Sequence, residues 1–122
     1  MSLDLYLKVK VVRYGGPEPV EDTENVFNAN ITYNLSSMMR DICKDKFDGG
    51  IWEEIRRREQ GLASDLLGPV LAALEDLRVR RSELLKFNAQ NGWGDVSWAE
   101  EFLTDLAEGC ATYPNAKVVA RR

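Results

Sequence analysis

Histidine is absent from this 122-residue chain, and cysteine occurs only twice, at Cys43 and Cys110. Imidazole is the usual general base near neutral pH and the commonest transition-metal ligand, so its absence excludes most histidine-based catalysis and most zinc-type sites. Two cysteines far apart in the chain, each inside a helical pattern, do not make a disulfide framework. They read as small buried apolar residues in a reducing, cytoplasmic compartment. Long apolar runs are missing too: none approaches the roughly 20 residues that span a bilayer, and no membrane partner is expected. The N-terminal MSLDLYLKVKVV alternates polar and apolar residues and shows no cleavage site, so it does not read as a signal peptide. Positive charge is not in excess either, with 16 Lys and Arg against 20 Asp and Glu, a net charge of -4. Nucleic-acid binding rests on clustered basic residues that release counterions, and none is expected here.

What is present is enough apolar residue, 44% of the chain, to build one core without metals or disulfides. The length suits a single domain over residues 1–122. Leu3, Leu5, Leu7, Val9 and Val11 fall on one face at period two, with Asp4, Tyr6, Lys8 and Lys10 on the other, which predicts a half-buried strand. Residues 13–25, RYGGPEPVEDTEN, have no period and predict a long loop. A second strand is expected over 26–33, with Phe27, Ala29, Ile31 and Tyr33 inward and Asn28, Asn30 and Thr32 outward. Leu35, Met38, Met39 and Ile42 then take helical spacing, with Asn34 or Ser36 as cap and Asp48-Gly49-Gly50 as the stop.

A short helix around Ile51, Trp52 and Ile55 is interrupted by Gly61. The stripe Leu67, Val70, Leu71, Leu74 and Leu77 predicts an amphipathic helix starting between Ser64 and Pro69. Residues 88–96 form a turn-rich loop. Ser97-Trp98-Ala99-Glu100 has the pattern of a capping box, followed by a buried face of Phe102, Leu103, Leu106 and Cys110. AKVVAR at 116–121 predicts a closing strand. The fold class expected is therefore α+β: a small antiparallel sheet of about three strands, in β-β-α-α-α-α-β order, covered on one face by helices. Strand 1, the most apolar, belongs in the centre.

Two segments stand out as candidate binding residues. Asn30, Thr32 and Asn34 give the second strand an amide-and-hydroxyl face, although asparagine is depleted in strands. The two N-x-S/T patterns they create would matter only in a secreted protein. Asn91-Gly92-Trp93-Gly94-Asp95 sets a large flat ring between glycines, a geometry suited to a lid or an anchor. The bland alternative for each is a hydrated sheet face and a core-plugging tryptophan. Glu18, Glu21, Asp22 and Glu24 lack calcium-loop spacing. The arginines at 56–58, 78, 80 and 81 lie beside enough Glu and Asp to form ordinary ion pairs. No phosphate-cradling glycine loop and no nucleophile elbow is present, so no catalytic residue, metal or cofactor is assigned.

The segments SLDLYL, NITYNLSSM and NGWG followed by PNAKVVAR resemble a family of small bacteriophage and prophage proteins without assigned activity. Where relatives of that pattern often carry histidine, this chain has Tyr33. The resemblance implies an accessory or host-directed role. Combined with the residues themselves, it points to a non-enzymatic protein that binds a host protein or a small polar molecule. The site is expected between Asn30, Thr32 and Asn34 and the loop bearing Asn91, Trp93 and Asp95. The alternatives are a small hydrolase or transferase using Asp4 or Asp95 beside Tyr6 or Tyr33, and a homo-oligomeric component, of which a homodimer is the simplest form.

Overall fold

The computed structural model describes residues 2–88 and 94–121. It is an α+β fold in which three antiparallel strands, β1 (Ser2–Arg13), β2 (Val20–Thr32) and β3 (Lys117–Arg121), form a sheet of order β2-β1-β3. The helices are α1 (Ser36–Asp41), α2 (Gly50–Arg57), α3 (Ala63–Val79), α4 (Arg81–Leu84) and α5 (Val96–Thr112). Strand 1 is central, as its apolar alternation predicts. Leu3, Leu5 and Leu7 are fully buried and pair across to Ile31, Ala29 and Phe27 on β2. On the other side Leu7 pairs with Val118 and Leu5 with Ala120. The inner face of the sheet packs with Val70, Leu74 and Leu77 of α3 and Phe102, Leu103 and Leu106 of α5 in one buried cluster.

On the outer face Asp4, Tyr6 and Lys8 are only half-buried. There the rows Asn30–Asp4–Arg121 and Asn28–Tyr6–Val119 lie side by side across the three strands. Asn30 Nδ2 donates to the Asp4 carboxylate, and the Arg121 guanidinium sits 5.5 Å from the Tyr6 ring centroid.

Residues 13–25 differ from expectation. They are not a long loop: β1 runs to Arg13, β2 begins at Val20, and the turn between them spans only 14–19. A bulge between Leu7 and Lys8 leaves Val26 as the extra residue of β2. Bulges bend and twist a ribbon, and past this one β1 and β2 continue as a two-stranded arm with exposed Val12, Tyr14 and Val20. β3 pairs with β1 only over residues 4–8, so among the described residues the arm has no third strand.

Three helix boundaries also move. α1 stops at Asp41, and Gly49 and Gly50 open α2 rather than closing the helix before it. Both have positive φ, 80° and 65°. α3 starts at Ala63, so Pro69 lies inside it. That start is set by backbone pairing: Ala63 N–H donates to Ala116 O at 2.8 Å and Ser64 N–H to Pro114 O at 2.9 Å. Carbonyls of the chain leading into β3 thus satisfy donors that the first helical turn leaves free. The buried stripe of α3 is Leu66, Val70, Ala73, Leu74 and Leu77. Leu67 is half-buried and Leu71 exposed. The short α4 was not visible as a separate element in the sequence.

Candidate functional site

Ala29, Asn30, Ile31 and Thr32 are consecutive on β2, and together they form one wall of an open cleft of about 470 Å³. The opposite wall is α5, through Trp98, Glu101, Phe102 and Asp105. β2 is an edge strand, so this wall consists of backbone as well as side chains. An edge strand presents N–H and C=O groups that a further strand can pair with.

The helix wall follows from α5's register. Phe102 and Leu106 face the core, and Trp98, one turn before Phe102, continues that stripe out to the rim. There it is 44% exposed. Glu101 and Asp105 lie four residues apart on the solvent side, both exposed. Among the described residues, no Lys or Arg lines the cleft, and Glu101 and Asp105 are its charged groups. Further along, Gly109 packs against Phe27 of β2, where a Cβ would come within 2.8 Å of the ring. The close approach there clamps α5 to the strand, and the cleft opens toward the α5 N-terminus.

The sequence-derived residues distribute as follows. Asn30 and Thr32 line the cleft. Asn30 also has a structural duty, its hydrogen bond to Asp4, which explains an asparagine in mid-strand. Thr32 Oγ1 accepts the Asn34 N–H at 3.3 Å and so caps the 3₁₀ turn Tyr33–Leu35. Asn34 is therefore the capped residue rather than the cap, and Tyr33 leaves the strand to pack edge-on against Trp52, 5.6 Å between centroids. Asn91 and Trp93 lie outside the described residues. Gly94, at the described end of that loop, has φ 130°, and a Cβ there would come within 2.9 Å of Leu35 and 3.2 Å of Thr32. That end of the loop therefore rests against the end of β2.

Asp95 is the N-cap of α5: its Oδ1 accepts the Trp98 N–H at 3.0 Å. The capping box expected at Ser97 and Glu100 does not form. Both side chains are taken by α3 and α4 arginines instead, Ser97 Oγ by Arg81 Nη2 at 2.9 Å and Glu100 by Arg78 and Arg81. Those two hydrogen bonds outweigh a small burial penalty and lower the Glu100 pKa below its ordinary value.

Trp98, Glu101 and Asp105 were not singled out in the sequence. Their signal was the spacing i, i+3, i+7, which puts one ring and two carboxylates along a single helix face. The arginines at 56–58 pair within their own helix turn, with Glu54 buried, whereas Arg78, Arg80 and Arg81 also reach carboxylates on other helices, Glu100 and Asp41. Arg57 and Arg58 share Glu54 at 3.3 and 3.2 Å, and Arg56 lies 3.8 Å from Glu53.

For the catalytic alternative, Asp4 and Tyr6 stand on the open outer face, Asp4 bonded to Asn30 and Tyr6 beneath Arg121. Asp95 is occupied as a cap. Burial raises both thiol pKa values to about 11, with the Asp76 carboxylate adding to the effect at Cys43. Neither thiol is therefore an ionised nucleophile near neutral pH. Among the described residues, no group of three Cys, Asp or Glu side chains gathers as a metal site, and no helix is long and apolar enough to cross a membrane.

Among the described residues, the fold and cleft define a class, an α+β protein with a ligand-sized groove beside an edge strand of its sheet. In comparison with known proteins, no family model, curated protein or solved structure matches the chain.

Proposed function

We propose that this is a non-enzymatic binding protein whose partner is an extended, basic segment of another protein laid along the free edge of β2. The observation that carries the proposal is the composition of the cleft. One wall is four residues of strand edge, and the other is an exposed indole beside two carboxylates with no basic residue among them. A strand added to such an edge gains main-chain hydrogen bonds, and side chains on alternate positions supply specificity. Lysine or arginine at those positions would meet Glu101 and Asp105, and an apolar or cationic side chain would lie on Trp98. The resemblance to small phage proteins supports an accessory role in the host cytoplasm, with a host protein as the target. A volume of about 470 Å³ also falls within the range of small-ligand sites, which keeps a small polar cation as a second reading.

The test uses nuclear magnetic resonance of the labelled protein with two synthetic peptides of equal length, alternating Val-Lys and alternating Val-Glu. The expected result is amide shifts at Ala29, Asn30, Ile31 and Thr32 and at the Trp98 indole with the lysine peptide only. Glu101→Lys with Asp105→Lys should abolish them while leaving the rest of the spectrum in place. Equal shifts with both peptides, or shifts away from β2 and α5, would overturn the reading.

A further inference from the structure

β1 has twelve residues, and only residues 4–8 carry a partner on the β3 side. Residues 9–13, Val-Lys-Val-Val-Arg, therefore present a second open edge, with Val12 49% and Tyr14 80% exposed beside it. Three of its five residues are β-branched valines, and an unpaired strand edge of this kind is a template for pairing with another chain. Where β3 ends, the open edge borders a notch of about 900 Å³ that contains Lys8, Lys10, Lys117 and exposed Leu62, with no acidic residue in its lining.

The geometry points to a second copy of this chain as the occupant: two arms pair antiparallel through residues 9–13 about a two-fold axis at Val11. The window has five residues with Val11 at its centre, so it is self-complementary under that axis. Val11 meets Val11 of the second copy, Lys10 meets Val12, and Val9 meets Arg13. No like charges stand directly opposite each other, the two Lys10 meet only on a diagonal, and Arg13 is already paired with Asp22 at 3.1 Å. Beyond Val12 of the second copy the next strand presents Glu21, because Val12 and Glu21 are paired in β1 and β2. The row on that face thus runs Lys10, Val12, Glu21 across the junction.

Past residue 13 the second copy's turn enters the notch, bringing Tyr14 toward Leu62 and Glu18 toward the three lysines. The arrangement is reciprocal. The other arm edge is unsuited to this role, since antiparallel self-pairing of VEDTEN would set Glu21 of each copy directly opposite Glu24 of the other.

The test is the oligomeric state of the full chain and a cross-link at the axis. Light scattering from micromolar to millimolar concentration should show a dimer. Opposed residues of an antiparallel pair have Cα atoms roughly 4.5–5.5 Å apart, within disulfide range. Val11→Cys should therefore oxidise to a covalent dimer, whereas Val79→Cys, more exposed than Val11 but on α3, should not. The two native cysteines are buried and will not compete. Val11→Lys should shift the dimer to monomer by at least 100-fold in dissociation constant (about 2.7 kcal/mol). Val12→Lys, placed against Lys10 of the second copy, should do the same at a residue too exposed to disturb folding. A monomer at every concentration, a dimer indifferent to both lysine variants, or equal cross-linking at Val79 would overturn the proposal.

Discussion

Arg80, at the junction of α3 and α4, reaches across the fold and donates through Nη2 to the carboxylate of Asp41 at the end of α1. Its Nη1 donates to Asp76 Oδ2 at 2.9 Å, and the same carboxylate oxygen accepts the Cys43 N–H at 2.9 Å. Cys43 has a φ of 59°, a conformation that L-residues avoid unless something holds it. One guanidinium and two carboxylates thus tie the chain reversal after α1 to the end of α3.

Removing Arg80 should loosen that reversal. Arg80→Met is expected to cost about 2 kcal/mol, the scale of a partly buried hydrogen bond to a charged group left unmade, measured by denaturant unfolding. The effect should depend on pH. Burial opposes ionisation of Asp41, but hydrogen bonds from Lys44 and Arg80 outweigh it, and its pKa is lowered. Glu100 is lowered as well. A carboxylate whose folded pKa lies below its unfolded one contributes stability that is fully present above the unfolded value. That contribution is lost as pH falls through the folded value. Stability should therefore decline below about pH 4, and Arg80→Met should flatten that acid limb.

The start of α5 offers a second comparison. Asp95→Ala removes the side-chain cap on the Trp98 N–H and should lower stability by about 1 kcal/mol. Ser97→Ala, although it alters the sequence pattern of a cap, should cost less, because Ser97 Oγ is turned toward Arg81. Thermal melts of the two variants followed by circular dichroism would rank them. The reverse order would mean that the helix begins differently.

Glycine substitutions should split by environment. At Gly50 a Cβ would stand 2.2 Å from Arg40 O and 2.7 Å from Ile42 O, both backbone atoms, at φ 65°. Gly50→Ala should cost about 2 kcal/mol or more. At Gly68, inside α3, a Cβ meets nothing within 4 Å. Gly68→Ala should stabilise by up to about 1 kcal/mol through helix propensity. Unfolding midpoints in urea give both signs in one experiment.

The elements legible in the sequence are those with a buried face. Leu3, Leu5 and Leu7 announce β1, and Phe102, Leu103, Leu106 and Cys110 announce α5, because burial imposes the period that is read. The arm of residues 9–25 buries little, so VEDTEN carries no alternation and reads as a loop although it is strand. Ser97 and Glu100 misled for a different reason: their partners Arg78 and Arg81 are distant in sequence, and a local pattern cannot show a competing long-range bond. The cleft was half legible. Asn30 and Thr32 were visible as unusual strand residues, but their opposite wall was not, since facing α5 to β2 depends on a packing contact between Gly109 and Phe27.

β1 is one unbroken strand with two unequal anchorages. Its first half is held on both edges and by the helices beneath it, so opening there means losing the core. Val9 still packs against the core, but among the described residues the strand beyond it is paired only with β2, so that part can separate with little loss of the core. The bulge at Leu7 and Lys8 is the seam between these regimes. It divides a rigid floor from a limb that can fray and re-form, independently of the folding equilibrium of the body that carries it.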